Sequence, residues 1–555
     1  MLLLLLLLSL LALSAPAALA VPLLGGLQVE GLVAPLAVAA AAPRFSWVPG
    51  AAQASYRLTV TQTFPAPGAL LWDSGVVASN ASSLVPYAGA RALPPDADCV
   101  LTVAATLAGV GLVSASAPFS TAPAAPLAGA WLGYADTLRG ALRLSAAPVT
   151  RARLHATGVG CYAAYVNGAR VSPPLAPGFG HAPSARALYN SYDVARLLAP
   201  GGENVVGLRL GSCKWGAFGQ YCSRGSAAQC NAGWALLSVT QGGNTTLLAS
   251  DASGAWGAAN TSVLAQHLWD GELFDARAEP QGWAAPGFAP AAGPWPPALA
   301  ADTADLVGPL LPAPGPPVAL GEALAPAAVS RPTPGAFVFD LGVNIAGACG
   351  LDLGAPPGEA PVGAGAALSL LHGELLQLSG NGSVYNHYLP PGGTHQPNGL
   401  NQPRMNYSYV TRGGGEELAL AGPHFSYFGF RYVELRGWPY AAPPAAQRLR
   451  CHFLHSDLAP TGAVAFPGTP LLDALQAATL RTHLANLVTL PTDCPQREKR
   501  CVGGRDCARG ARQLTHFYSA PTIPFFHAAE AGLCVGSPLL AAPSTLYASA
   551  APCPL

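Results

Sequence analysis

A mainly β chain that turns helical near its end is what the patterning of this sequence predicts, and three stretches carry the prediction. Tyr56, Leu58 and Val60 alternate with Arg57, Thr59 and Thr61, the period-two signature of a half-buried strand. Ala163-Ala164-Tyr165-Val166-Asn167-Gly168 reads as a strand entering an Asn-Gly turn, the strongest short-range hairpin signal. Beyond His455-Ser456-Asp457 the period changes. Thr469 can cap a helix with Pro470 at its first position, Asp473 in its first turn, and Leu472, Leu475, Thr479 and Thr482 or His483 along one face. That helix is expected to end near Val488 and to deliver Pro491 to Arg500 to the mouth of whatever it packs against.

Taken in order, the chain opens on a Leu- and Ala-rich run over residues 1–20 that closes on Ala18-Leu19-Ala20 before Val21. This is the pattern of a cleaved signal peptide, and its apolar stretch is too short for a permanent span. A secreted, extracellular product is expected. Asn80, Asn244, Asn260, Asn381 and Asn406 each begin Asn-X-Ser/Thr and are candidate glycan acceptors in that setting. From Pro43 to about Ala125 short strands follow one another, one of them ending at the turn Trp72-Asp73-Ser74-Gly75.

A second β unit runs from about Gly129 to Pro297 and holds the Asn-Gly hairpin and the alternating stretch Asn204 to Leu210. In it, Gly271-Glu272-Leu273-Phe274-Asp275-Ala276-Arg277 gathers Glu272, Asp275 and Arg277 near Trp269 and Trp283. Such a set would stack a sugar on tryptophan and bond its hydroxyls, or Asp275 and Arg277 would simply pair with each other. After the Pro-rich linker Leu306 to Pro334, Phe337 to Asn344 reads as strand then turn. Leu368 to Leu371 leads into Gly373-Glu374, and the aromatic run Phe425 to Leu435 reads as a core strand. His372-Gly373-Glu374 shares its first half with a zinc-deaminase motif, but no Pro-Cys-x-x-Cys follows, so a strand with polar residues on its exposed face is expected.

At 555 residues there is room for three or four domains. Charged residues make up 10% of the chain and cancel to zero, which leaves no electrostatic case for nucleic acid or an anionic membrane and suits uncharged ligands such as glycans. Twelve cysteines are compatible with a few disulfides, and two of Cys213, Cys222 and Cys230 are expected to pair. With no Cys-x-x-Cys, no zinc site is called for, and nothing in the sequence asks for a metal or a cofactor.

The densest chemistry lies in Pro491-Thr492-Asp493-Cys494-Pro495-Gln496-Arg497-Glu498-Lys499-Arg500, where two carboxylates and three cations share ten residues of a charge-poor chain. Pro495 disfavours the α region at Cys494, so Asp493 and Cys494 are expected extended, with a helix starting at Pro495 and Glu498 in its first turn. Asp493 and Glu498 would then face one cavity. Arg497, Lys499 and Arg500 would lower the pKa of a carboxyl among them unless burial or a second carboxylate, from Asp493 or Asp506, opposes them. A general acid needs that opposition. The structural alternative is a solvated ionic turn.

Thr-Asp-Cys-Pro-Gln-Arg followed by an acid resembles the signature of the α-L-rhamnosidases, inverting glycoside hydrolases with β-sandwich modules before an (α/α)6 barrel. The Trp47 and Trp-Asp-Ser-Gly features resemble the family's leading fibronectin-type module. The Asn-Gly turn with Gly-Glu-x-x-Asp-Ala-Arg resembles its jelly-roll, and Phe425 to Glu434 resembles the last strand of its concanavalin-like sandwich. After the signal peptide read over 1–20, the resemblance implies a fibronectin type III-like domain over 21–125 and a jelly-roll over 126–305. A concanavalin-like sandwich over 306–452 and the start of a six-hairpin (α/α)6 catalytic domain over 453–555 follow. The implied fold class is thus tandem β-sandwich and jelly-roll domains followed by an incomplete barrel.

The same resemblance implies hydrolysis of terminal α-L-rhamnose from a glycan or glycoside, with no cofactor, no nucleic acid and no membrane once the leader is removed. Glu498 would be the general acid, Asp493 and Arg497 would bind the sugar, and Asp506, in a run that diverges from the family's, would match a later acid. The family's general base comes from far downstream, and no residue of this chain is assigned to it. The tail from Cys501 carries no family pattern and six prolines that break helices, so a chain short of a full barrel is expected. A non-catalytic, secreted carbohydrate-binding protein built on the β domains is the alternative.

Overall fold

The computed structural model describes residues 23–39, 42–175, 186–211, 213, 231–291, 293–302, 307–376, 384–385, 404–416, 423–458, 464–492, 494–496 and 499. Two compact units divide the chain, one through Pro123 and one from Ala124.

In the first unit the alternation at Tyr56 to Thr61 becomes the strand Gln53–Phe64, central in a four-stranded antiparallel sheet with Ala69–Asp73, Asp98–Leu107 and Gly111–Ser120. Strict alternation in Asp98–Leu107 turns Cys99, Leu101, Val103 and Ala105 inward, where they meet Phe45 and Trp47 from the three-stranded sheet of Leu24–Val29, Arg44–Pro49 and Val85–Pro86. Trp47 is buried and donates its indole N–H to Gln53 Oε1 at 2.8 Å, as a buried indole must. The Trp-Asp-Ser-Gly turn is closed by Asp73, whose carboxylate accepts the Gly75 amide at 2.9 Å and pairs with Arg57.

The second unit begins as a sandwich of a seven-stranded and a five-stranded sheet. Leu154 and Leu237 of the seven-stranded sheet and Val206 and Leu208 of the five-stranded one fill its interior with Trp256. Asn167 and Gly168 form the expected hairpin turn at φ +49° and +85°, between Cys161–Val166 and Ala169–Arg170.

A nine-stranded sheet follows, in the order Val263–His267, Gly271–Asp275, Asn406–Val410, Ala367–Gly373, Phe428–Arg436, Ala336–Leu351, Leu449–Ser456, Val318–Leu324, with Ala328–Thr333 paired to Ala336–Leu351. Its first two strands precede residue 305 in the chain and the other seven follow it, so the sheet is assembled across that position. Gly271–Asp275 joins in parallel to Asn406–Val410, and Gly271 makes this possible. At its φ of +105° a Cβ would stand 1.9 Å from the Asn406 carbonyl oxygen.

Two expectations are corrected here and a third is narrowed. Cys213 is bonded to Cys161, which leaves Cys222 with Cys230, both outside the described residues, as the remaining pair among the three. A second disulfide joins Cys349 and Cys451, directly opposed on neighbouring strands. His372 does not stand on an exposed face: it is buried, stacked on Phe428 at 4.4 Å and edge-on to Phe430 at 4.6 Å. The helix spans Pro470–Ala485 with Pro470 at its start as expected, but the Thr469 hydroxyl donates to the Phe466 carbonyl instead of capping. It stops three residues early because Asn486 closes it, its amide donating to His483 O at 3.1 Å.

Candidate active site

Glu498, Asp493, Arg497 and Asp506, the expected acid and sugar-binding residues, lie outside the described residues, as do Arg500, the leader over 1–20 and the sequon at Asn381. What the structure describes is the seat on which their segment is built. From the helix end the chain makes a two-residue hairpin, Leu487–Val488 against Leu490–Pro491, reversed at Thr489 with φ +60°. Ser456, at the end of its strand, accepts the Thr489 amide through Oγ at 3.0 Å, and Thr492 returns its own amide to Asn486 O at 2.7 Å.

Pro495 and Gln496 then form a turn, not the opening of a helix. Lys499 explains why. Its amide reaches back to the Cys494 carbonyl at 3.1 Å and its φ of +49° places it in the left-handed region, where a right-handed helix cannot continue. Its side chain goes down into the nine-stranded sheet. Nζ donates to Leu268 O at 2.8 Å and stands 5.0 Å from the Tyr427 ring centroid and 5.6 Å from that of Phe428. Leu268 O also accepts the Ser426 hydroxyl at 2.7 Å. Sequence reasoning counted Lys499 among the cations flanking the acid, with a solvated ionic turn as the alternative; its side chain is fully buried.

Gly429 completes the seat and was missed. A Cβ there would come within 2.7 Å of the Gln496 amide nitrogen and 2.9 Å of Pro495 Cγ, so the turn lies directly on the strand backbone. The available signal was an isolated glycine between Phe428 and Phe430 in an aromatic strand, a mark of close backbone approach. Beneath the seat, burial pushes His372 down to about 4, with the Lys499 charge adding to it and backbone carbonyls of Met405 and Leu370 opposing. Its Nδ1 lies 3.0 Å from Met405 O, and Nε2 has no hydrogen-bond partner among the described residues.

The second candidate cluster resolves as structure. Arg277 and Asp275 form a two-point pair at 2.8 and 3.0 Å. Glu272 is buried and accepts both the His424 amide at 3.0 Å and its Nδ1 at 2.8 Å. His424 Nε2 lies 3.4 Å from Arg209 Nη1, whose other nitrogen is held by both oxygens of Glu279 at 2.8 Å. Arg209 belongs to the five-stranded sheet and Glu272 to the nine-stranded one, so this chain of contacts joins the two. Trp269 and Trp283 are buried and offer no face to a sugar; the Trp283 indole donates to Glu279 at 3.1 Å. Among the described residues no group of three or more metal-ligating side chains converges. Of the sequons, Asn80, Asn244 and Asn260 are exposed, whereas Asn406 is half-buried in the ladder with its amide bonded to Ser408 and Ser369.

Comparison with known proteins identifies the domains that make this seat. Residues 24–124 match the Rha78A-like N-terminal immunoglobulin domain, 147–320 the α-L-rhamnosidase N-terminal domain, and 330–455 the bacterial α-L-rhamnosidase concanavalin-like domain. An α-L-rhamnosidase of Streptomyces avermitilis is 31% identical over 397 residues, covering 68% of this chain and 35% of that protein. One from an Alteromonas species is 25% identical over 518 residues, covering 85% and 51%. The chain thus spans about a third to a half of the length of these relatives. In fold it is similar to the α-L-rhamnosidase structure from Dictyoglumus thermophilum, with TM-score 0.74 at 23% identity over 91% of this chain and 56% of that one. The S. avermitilis structure complexed with L-rhamnose gives 0.73 at 22% over 91% and 64%. Through its three matched domains the chain belongs to the α-L-rhamnosidase family.

Proposed function

We propose that this protein hydrolyses terminal, non-reducing α-L-rhamnose from a glycan or glycoside by inverting acid–base chemistry, with Glu498 protonating the leaving glycosidic oxygen. The observation that carries the reading is the seating of Cys494 to Gln496 and of Lys499, which flank Arg497 and Glu498 in the sequence, on the matched concanavalin-like sheet. Asp493 and Arg497 hold sugar hydroxyls, and Asp506 matches a later acid of the same segment. A carboxyl that must give up a proton near neutrality needs a raised pKa. One of the three cations counted against it, Lys499, is engaged with Leu268 O and two rings in the sheet, which leaves Arg497 and Arg500 to be offset. Inversion also requires a second carboxylate about 6.5–9.5 Å from the acid to activate water. The family places that base far downstream of the acid, and no residue named here fills the role. Secretion and glycan attachment at Asn80, Asn244 and Asn260 belong to the same proposal.

The test compares substrates by leaving group. Glu498→Gln abolishes release of rhamnose from phenyl and glycan substrates and leaves dinitrophenyl rhamnoside within about tenfold, because a good leaving group hardly needs protonation. Asp493→Asn slows both. Equal loss on both substrates in Glu498→Gln removes the acid assignment. L-rhamnose binding without turnover of any substrate supports the alternative of a carbohydrate-binding protein.

A further inference from the structure

The strand Ala336–Leu351 is interrupted where the sheet gives no reason for it. Asp340 stands opposite Tyr432 and Ile345 opposite Phe430, so Leu341, Gly342, Val343 and Asn344 together face the single residue Arg431. An ordinary bulge sets two residues against one, and this larger one lies in a strand with neighbours on both edges. It is held firmly all the same. Leu341 is buried and Val343 packs on the core, while the Asp340 carboxylate accepts the Gly342 amide at 2.7 Å, with Gly342 at φ +75°. Arg431 closes on both Asp340 oxygens at 2.8 and 2.9 Å. The outcome is one side chain turned outward. Asn344 is exposed, and its amide crosses the strand Phe428–Arg436 to donate to Glu374 Oε1 at 2.8 Å. Glu374 follows Gly373 on the strand along the other edge of Phe428–Arg436, so the two side chains bridge about 9.6 Å, two strand spacings.

The bridge leaves polar atoms open. Asn344 Oδ1, the second Glu374 oxygen and Arg431 Nη1 have no hydrogen-bond partner among the described residues. Two acceptors and a donor on three adjacent strands match the hydroxyls of a pyranose, which both donate and accept, and match an aryl ring poorly. Their place in the sheet is equally telling: Arg431 is two residues, about 7 Å, along the strand from Gly429, on whose backbone Pro495 and Gln496 lie. A face turned only to water would gain nothing from the bulge that brings Asn344 to Glu374. We propose that Asn344, Glu374 and Arg431 form a subsite for the sugar that carries the terminal rhamnose, favouring a polyhydroxylated leaving group over an aromatic one. The inference rests on the rhamnoside-hydrolysing reading and deepens it by choosing a glycan over an aryl glycoside. Asp340 is a positioning residue in it, orienting Arg431 and closing the turn at Gly342 without touching the sugar.

Two measurements decide it. Asn344→Ala removes one open acceptor and the bridge, and Glu374→Gln keeps the shape but puts a donor where an acceptor stood. Asn344 is exposed and Glu374 half-buried, so neither change opens the core. Each lowers the ratio of kcat/KM for an α-1,6-linked rhamnosyl-glucose to kcat/KM for phenyl rhamnoside at least about tenfold, the size of a lost hydrogen bond to a charged group. A ratio unchanged in either variant, through equal loss on both substrates or no loss on either, ends the proposal. The second measurement needs no turnover. In calorimetry the uncleavable sulfur-linked rhamnosyl-glucose binds the native protein at least about fivefold more tightly than L-rhamnose, and both substitutions abolish that gain with the circular dichroism unchanged. No gain in the native protein, or a gain that survives in either variant, overturns the subsite. A gain lost in both variants of a protein that cleaves no rhamnoside upholds the subsite and ends the hydrolytic reading instead.

Discussion

The helix Pro470–Ala485 precedes the turn in the chain and the strand Phe428–Arg436 lies against Pro495 and Gln496, and the two support it unequally. Gly429 beneath Pro495 and Gln496, Tyr427 and Phe428 around the Lys499 ammonium and Leu268 O at its tip all belong to the nine-stranded sheet or its connections. The helix presents Leu471 at 81% and Leu475 at 62% exposure and buries only His483 and Ala485. Sequence periodicity made the helix the element that delivers the motif. The geometry makes the sheet the element that holds it, and the difference is one of packing density. A strand with neighbours on both edges has its backbone fixed on two sides, while a helix touching the unit along one short end transmits little.

Removing the strand side has the largest expected effect. Phe428 is fully buried, stacks on His372 and walls the Lys499 cage, so Phe428→Ala is expected to cost about 3–5 kcal/mol in denaturant unfolding of the second unit. A cost under about 1 kcal/mol would show that the sheet is not the rigid support described.

Acid is the next lever. His372 titrates at about 4 in the folded protein because burial penalises its charged form, against an ordinary value near 6.5. Between these values the unfolded chain binds the proton and the folded one does not, so stability is lost as pH falls from 6.5 toward 4 and is fully present above. His155, in the seven-stranded sheet, is lowered to about 4 for the same first reason, with Arg151 and Arg153 adding to it. Each contributes a loss of roughly 3 kcal/mol by pH 4. The two substitutions sharpen the comparison between sheets: His372→Phe should flatten its share of the pH 4–6.5 slope and leave that of His155 in place. An unchanged slope in His372→Phe would place the proton elsewhere.

How much of this was legible follows from what each signal depends on. Strands announced by local patterning, such as Gln53–Phe64 and the hairpin at Asn167-Gly168, are found where alternation and turn chemistry put them, because both signals act within a few residues. The seat was not legible, because it joins Leu268, Ser426 to Gly429 and Lys499, which are far apart in sequence and have no shared period. The burial of His372 was hidden for the same reason: Phe428 and Phe430 cover it from another strand. In the Gly271 to Arg277 run Asp275 and Arg277 pair with each other, the alternative the sequence offered, and only the partners His424, Arg209 and Glu279 show Glu272 to be part of a joint between sheets. The acid itself was read from a linear motif.

The smallest expected effect is on the helix, and it tests the other half of the comparison. Leu475 lies on the face that periodicity marked as apolar, yet it is 62% exposed, so replacing it removes little buried surface. Leu475→Gln keeps a good helix former at the site and is expected to change unfolding free energy by no more than about 0.5 kcal/mol. Leu370, on the strand Ala367–Gly373 beside Phe428–Arg436, is the matched control: it is buried, and Leu370→Ala should cost about 2–5 kcal/mol. If the strand is the support, tryptic cleavage at Arg497 and Arg500 rises in Leu370→Ala and is unchanged in Leu475→Gln. A cost above about 2 kcal/mol in Leu475→Gln, with faster cleavage at those arginines, would mean that the helix face is covered in the protein. The helix would then share in holding the turn, and the division of labour drawn here between helix and sheet would fail.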